Sequence, residues 1–179
     1  MENSNVRKIT RTAVLIALTI AFQSLGMQQM ITGPVVNMFL FLGVMLIGMW
    51  GGVITGLITP LMALWVGIIK PVMAPMAPAI ALSNAALCVV FGFADMLGSH
   101  RSIVARAVGA VIASVVKFLI LAGTVRFLVQ LPPKAAQAMQ GLQLVTALSG
   151  GVAAIILYEA LARTGAISGL GGNPTNRRR

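Results

Sequence analysis

The chain has 179 residues, of which 58% are hydrophobic and 9% charged, and a net charge of +10; its mean hydropathy is +0.96. That balance excludes an ordinary soluble domain, which needs far more polar surface, and points to an integral membrane protein. The apolar runs are continuous rather than alternating over ten residues, so helices rather than a barrel are expected to cross the bilayer.

The first predicted span covers about 9–25 and has no small-residue cleavage pattern at its end, so no cleavable signal peptide is expected. It leads into the polar stretch GMQQMITGP, where Gly33 and Pro34 suit a turn followed by a helix start. Residues 35–69 are apolar throughout and as one helix would extend about 52 Å, too long for a single crossing of about 30 Å. Gly51 and Gly52 are the expected hairpin, giving spans of about 35–50 and 52–69. The run KPVMAPMAP, with Pro71, Pro75 and Pro78, reads as an extended loop that cannot continue a helix. A fourth span covers about 78–97, a fifth about 103–129 and, after QLPPK, a sixth about 139–162. The expected fold is therefore all-α: a single domain of six transmembrane helices over 1–165, then a flexible basic tail over 166–179.

Six spans put both termini on one side, together with the turn at 51 and the loop near 100. That side collects Arg7, Lys8, Arg11, Arg101, Arg106, Arg163 and Arg177 to Arg179, while the other has Lys70 and Lys134 with Arg126 close by. The positive-inside bias then places both termini in the cytoplasm. Trp50 and Trp65, near opposite ends of the second and third spans, suit the two membrane interfaces. The net charge is read as this topology signal and not as a nucleic-acid interface. The terminal RRR reads either as a solvated tail or as a site for anionic lipid headgroups.

Groups able to do chemistry are few. The acids are Glu2, Asp95 and Glu159, with no close carboxylate pair. No serine sits in a nucleophile elbow, and GLGGNP at 169–174 lacks the lysine of a phosphate loop, so an enzyme is not expected. One cysteine and one histidine exclude an internal disulfide and a Cys/His metal cluster; Cys88 reads as a small apolar filler. Glu159 lies four residues before Arg163, which favours a local ion pair, with Tyr158 beside it at the interface, and Asp95 is expected to be solvated or paired with the Arg101 loop.

The cation in the middle of the fifth span has no such ordinary account. Lys117 is about 21 Å along the helix from Ile103, too deep for its ammonium to reach water, and an intramembrane charge is a candidate site. Its alternative reading is a lysine satisfied by carbonyls or by a carboxylate on another helix. Arg126 is nine residues on, half a turn out of phase at about 100° per residue, and either faces the same cavity from a bent helix or snorkels to the interface. Thr124 shares the Lys117 stripe and can add a hydroxyl. Asn84, about two turns into the fourth span, and Asn37, at the start of the second, must find polar partners in hydrocarbon. Each is either part of a ligand site or interhelical glue, with helix capping a further possibility for Asn37. Met73 and Met76 in the proline run can flex over a ligand.

On the first helix Ala13, Ala17 and Ala21 recur every four residues and make a smooth strip for close helix approach, within this chain or with another. Six short spans with cytoplasmic termini, this alanine strip, a long first outer loop and a proline-rich later one together resemble the S component, the substrate-binding membrane subunit, of energy-coupling factor (ECF) vitamin transporters. The resemblance covers nearly the whole chain as architecture but few motifs. It implies that Ala13, Ala17 and Ala21 dock against a transmembrane T component coupled to two cytoplasmic ATPases. ATP would be used by those partners, and this chain would hold no cofactor or metal. It also implies a prokaryotic plasma-membrane protein that binds a vitamin in the outer half of the bundle, beneath residues 27–34 and 70–78. Lys117, Asn84, Asn37, Thr124 and Arg126 are the candidate substrate-binding residues, and a lysine there favours a carboxylate-bearing ligand such as pantothenate, lipoate or nicotinate. The stretches expected of biotin or thiamin members and the N-terminal histidine of the nickel and cobalt members are lacking. A self-sufficient secondary transporter and a scaffold subunit without ligand remain the alternatives.

Overall fold

The computed structural model describes residues 2–97 and 102–167, with side chains from Asn5 onward. The terminal RRR, the GLGGNP stretch, Arg101 and the side chain of Glu2 lie outside the described residues. All regular structure among them is helical: α1 Glu2–Gln23, α2 Gln29–Ile47, α3 Met49–Trp65, a 3-10 segment Pro71–Met76, α4 Ala77–Leu97, α5 Ile103–Phe127, α6 Pro133–Ala138 and α7 Gly141–Arg163. Four stretches are long and apolar enough to cross a membrane: α2, the 3-10 segment with α4, α5, and α6 with α7. The apolar α3 is shorter, and α1 carries Arg7, Lys8 and Arg11 in its first half.

Helices that follow one another in the chain run antiparallel, whereas α2 and α7 run parallel, Gly33 meeting Thr146 and Phe41 meeting Gly151. Asp95 near the end of α4 meets Arg106 near the start of α5, which also meets Glu159 near the end of α7. Gly52 and Gly56 of α3 face Cys88 and Asn84 of α4 in reversed order. The closest packing is between α2 and α7, α3 and α4, and α4 and α5, while α1 lies at the edge against α2 and α3. The main core is built around Phe41 of α2 and Phe91 of α4, whose rings meet edge to face at 4.8 Å between centroids. A second apolar cluster of Met76, Leu121 and Met139 closes the end of the bundle that carries the 3-10 segment.

Four sequence expectations are corrected. The hairpin between α2 and α3 turns at Gly48, whose φ of 112° only glycine adopts at low cost. Gly51 and Gly52 lie inside α3, buried where that helix presses on Ile47 and Val44 of α2. Gly33 and Pro34 form no turn: α2 starts at Gln29, its first amides bonded to the Gln28 carbonyl, and Pro34 is carried inside the helix. The proline run is not extended. Pro71 sits at the helix-start position where its missing N–H costs nothing, the segment winds as 3-10 helix from the Met73 amide bond to Lys70, and it feeds directly into α4. The PPK stretch likewise starts the short helix α6 rather than a loop.

Candidate functional site

The Lys117 ammonium is the polar centre of the bundle. It donates to Oδ1 of Asn37 at 2.6 Å and to Oδ1 of Asn84 at 2.7 Å, joining α5 to α2 and α4. Lys117, Asn37 and Asn84 are only 3%, 1% and 2% exposed. Both asparagines turn their amide nitrogens away from the cation: Asn37 Nδ2 donates to the Gly33 carbonyl at 2.9 Å and Asn84 Nδ2 to the Gly56 carbonyl at 3.5 Å. The two side-chain oxygens are thereby aimed at Lys117. An ammonium has three donors, and two are used. Among the described residues no carboxylate pairs with it; the ion pairs found belong to Arg106.

Local sequence explains this convergence. Pro60 lies inside α3 and has no N–H for the carbonyl four residues back, so Gly56 O is released from the helix ladder and can accept from Asn84. Gly56 itself lets α4 approach, since a Cβ there would stand 3.1 Å from the Asn84 carbonyl carbon. Gly150 of α7 does the same for Asn37: its Cβ would meet the Pro34 oxygen at 2.6 Å and the Asn37 Cβ at 2.7 Å.

The other expected site residues do not join the cation. Thr124 is buried on the same face of α5, but its hydroxyl donates to the Ile120 carbonyl of its own helix. Arg126 is exposed in the last turn of α5. Between Lys117 and that end of the helix, Leu121, Met76 and Met139 form an apolar cover, with Met73 packed against it. Gln143 and Thr146 of α7 are also buried, Gln143 Nε2 lying 3.9 Å from the Met139 sulfur; sequence reasoning passed over both. Ala13, Ala17 and Ala21 are exposed on α1.

A second ionic centre, which sequence reasoning missed, lies on the same face of α5. Arg106 is 6% exposed; Nε donates to Asp95 Oδ1 at 2.8 Å, Nη1 donates to Glu159 Oε1 at 2.9 Å, and the guanidinium stacks 4.4 Å from the Tyr158 ring centroid. The Glu159–Arg163 pair expected from spacing is therefore replaced by an interhelical one, and Asp95 pairs with Arg106, while Arg101 of the expected loop partner lies outside the described residues. The signal was present: eleven residues separate Arg106 from Lys117, three turns of helix, so both must face the interior. They stand about 16 Å apart along α5.

A cavity of about 370 Å³ opens elsewhere, between α1 and the α2–α3 turn, lined by Lys8, Thr12, Ala13, Ile16, Trp50 and Ile54 among others. None of its lining residues belongs to the Lys117 or Arg106 centres. Among the described residues no group of His, Cys, Asp and Glu side chains is placed to hold a metal ion. No protein-family model, curated protein or solved structure matches the chain.

Proposed function

We propose that this chain is the substrate-binding membrane subunit, the S component, of an ECF-type importer. It captures a small carboxylate-bearing micronutrient, of the kind of pantothenate, lipoate or nicotinate, at the outer side of the bilayer. The observation that carries the reading is a buried ammonium held by two neutral amide oxygens with, among the described residues, no carboxylate beside it. Such a group is costly unless something anionic arrives. Its third donor and the adaptable methionines above it suit a ligand that enters from the end of the bundle covered by Met73, Met76 and Met139. The route in must open, because Lys117 is closed over by that cover.

Six spans with both termini in the cytoplasm belong to this reading. Arg7, Lys8 and Arg11 at the start of α1 and Arg163 at the end of α7 support it through the positive-inside bias. The exposed alanines 13, 17 and 21 on α1 would receive the T component, whose two ATPase partners supply the energy. The self-sufficient secondary transporter is the second reading, favoured by one feature: two carboxylates, Asp95 and Glu159, converge on Arg106 between α4, α5 and α7.

The test is thermal unfolding of the detergent-purified chain with a panel of carboxylate and non-carboxylate vitamins, the parent beside Lys117→Met. A ligand present at a hundred times its Kd stabilises by about 2.7 kcal/mol. A carboxylate that stabilises the parent and not Lys117→Met supports the proposal; stabilisation unaffected by the substitution removes Lys117 from the site. Proton-dependent uptake into vesicles holding this chain alone would favour the second reading.

A further inference from the structure

The cavity beside α1 has a shape and polarity of its own. Gly48 ends α2, α3 restarts at Met49, and Trp50 is thrown outward, 68% exposed. Where α1 crosses this turn, Ala13 offers only a methyl between Ile9 and Ile16, and a hollow remains against Ile47 and Ile54. Its lining is apolar apart from Thr12, whose hydroxyl is already donated to the Lys8 carbonyl, and Lys8 itself. Lys8 is exposed, its neighbour Arg7 is also exposed, and among the described residues no acid lines the hollow.

Charge therefore sits at one end and hydrocarbon at the other. From Lys8 to Ile16 the hollow follows α1 for about 12 Å. A cation at one end and hydrocarbon along the rest is the polarity of a phospholipid, a headgroup above an acyl chain, and is not matched by an all-apolar partner helix. Trp50 at the rim marks the headgroup level at which aromatic side chains settle.

We propose that this hollow is a binding site for one anionic phospholipid, its phosphate at Lys8 and one acyl chain lying along α1 between Ala13, Ile16 and Ile54. The inference rests on membrane embedding and is independent of the ligand at Lys117; of the alanine strip on α1 it takes only Ala13, and Ala17 and Ala21 lie outside the hollow. The two sites share no residue.

The experiment is native mass spectrometry of the full chain released from a neutral detergent, supplied with palmitoyl-oleoyl phosphatidylglycerol or with phosphatidylcholine bearing the same chains. The parent retains phosphatidylglycerol about fivefold better, the size expected of one juxtamembrane cation. Lys8→Gln lowers that preference to about unity, and Ile16→Trp, which fills the hollow, lowers retention of both lipids. Ala13→Leu serves the same purpose should Ile16→Trp fail to fold. Equal retention of the two lipids by the parent overturns the site, as does undiminished retention by the filled variants. Glycerol 1-phosphate competing as well as the lipid would show a headgroup site without a groove, and a dimer mass that disappears on filling would show that a second copy occupies it; either result also overturns the proposal.

Discussion

An ammonium held only by neutral carbonyl oxygens keeps its whole charge in surroundings that solvate it poorly, and a carboxylate is the simplest remedy. Asn84→Asp supplies that remedy from within, since the new carboxylate occupies nearly the same volume 2.7 Å from Lys117. The variant is expected to melt at or above the parent temperature while its affinity for a carboxylate ligand falls by 2–5 kcal/mol, about thirtyfold to several thousandfold, measured by titration calorimetry. Retained affinity would show that Lys117 is not the ligand's counter-charge. Asn84→Leu, by contrast, removes a charge-assisted acceptor and should lower stability by about 2 kcal/mol in thermal unfolding. Lys117, Asn84 and Asn37 were legible in the sequence because a polar side chain deep in an apolar run has no other way to be satisfied. Arg106 was not, because an arginine near a helix start looks like any topology-setting charge until its phase with Lys117 is counted.

At the scale of the elements, close approach fixes what the polar groups can reach. A Cβ at Gly150 would meet backbone atoms of Pro34 and Met38, which cannot give way as a flexible side chain would. Gly150→Ala should therefore push α7 from α2, destabilise by about 1–3 kcal/mol and weaken ligand binding although it never touches Lys117. Gly123→Ala is the control: it lies within α5 with nothing within 4 Å of the added methyl, and helix propensity alone predicts stabilisation of up to about 1 kcal/mol. Denaturation of the two variants in the same detergent makes the comparison. These contacts explain why element boundaries were harder to read than the elements. Gly48 and the Gly51–Gly52 pair look alike as turn formers, and only the packing of α3 on Val44 and Ile47 assigns the turn to the first and the crossing to the second. A proline misled in the same way: Pro34 read as a helix start, yet it is carried inside α2, as Pro60 is inside α3. At Pro60 the released Gly56 carbonyl is bonded by Asn84.

Across the whole molecule, two polar ties hold α5 against its neighbours, Lys117 to α2 and α4 and Arg106 to α4 and α7. Arg106→Gln would leave Asp95 and Glu159 facing each other uncompensated. Because both carboxylates are about a quarter exposed, the loss should be about 2–3 kcal/mol, below the 3–5 kcal/mol of a fully buried pair. The six-span arrangement is testable because Cys88 is fully buried between α3 and α4 and contributes little background to thiol labelling. Single cysteines at Gln28, Lys70 and Lys134 lie in exposed positions at one end of the bundle, and one at Thr164 at the other. If the termini are cytoplasmic, a membrane-impermeant maleimide applied to intact cells should label the first three and spare Thr164→Cys, which reacts only after the membrane is opened. The opposite pattern would invert the topology, turn the Met73–Met76 cover toward the cytoplasm and remove the outer-side capture on which the importer reading depends.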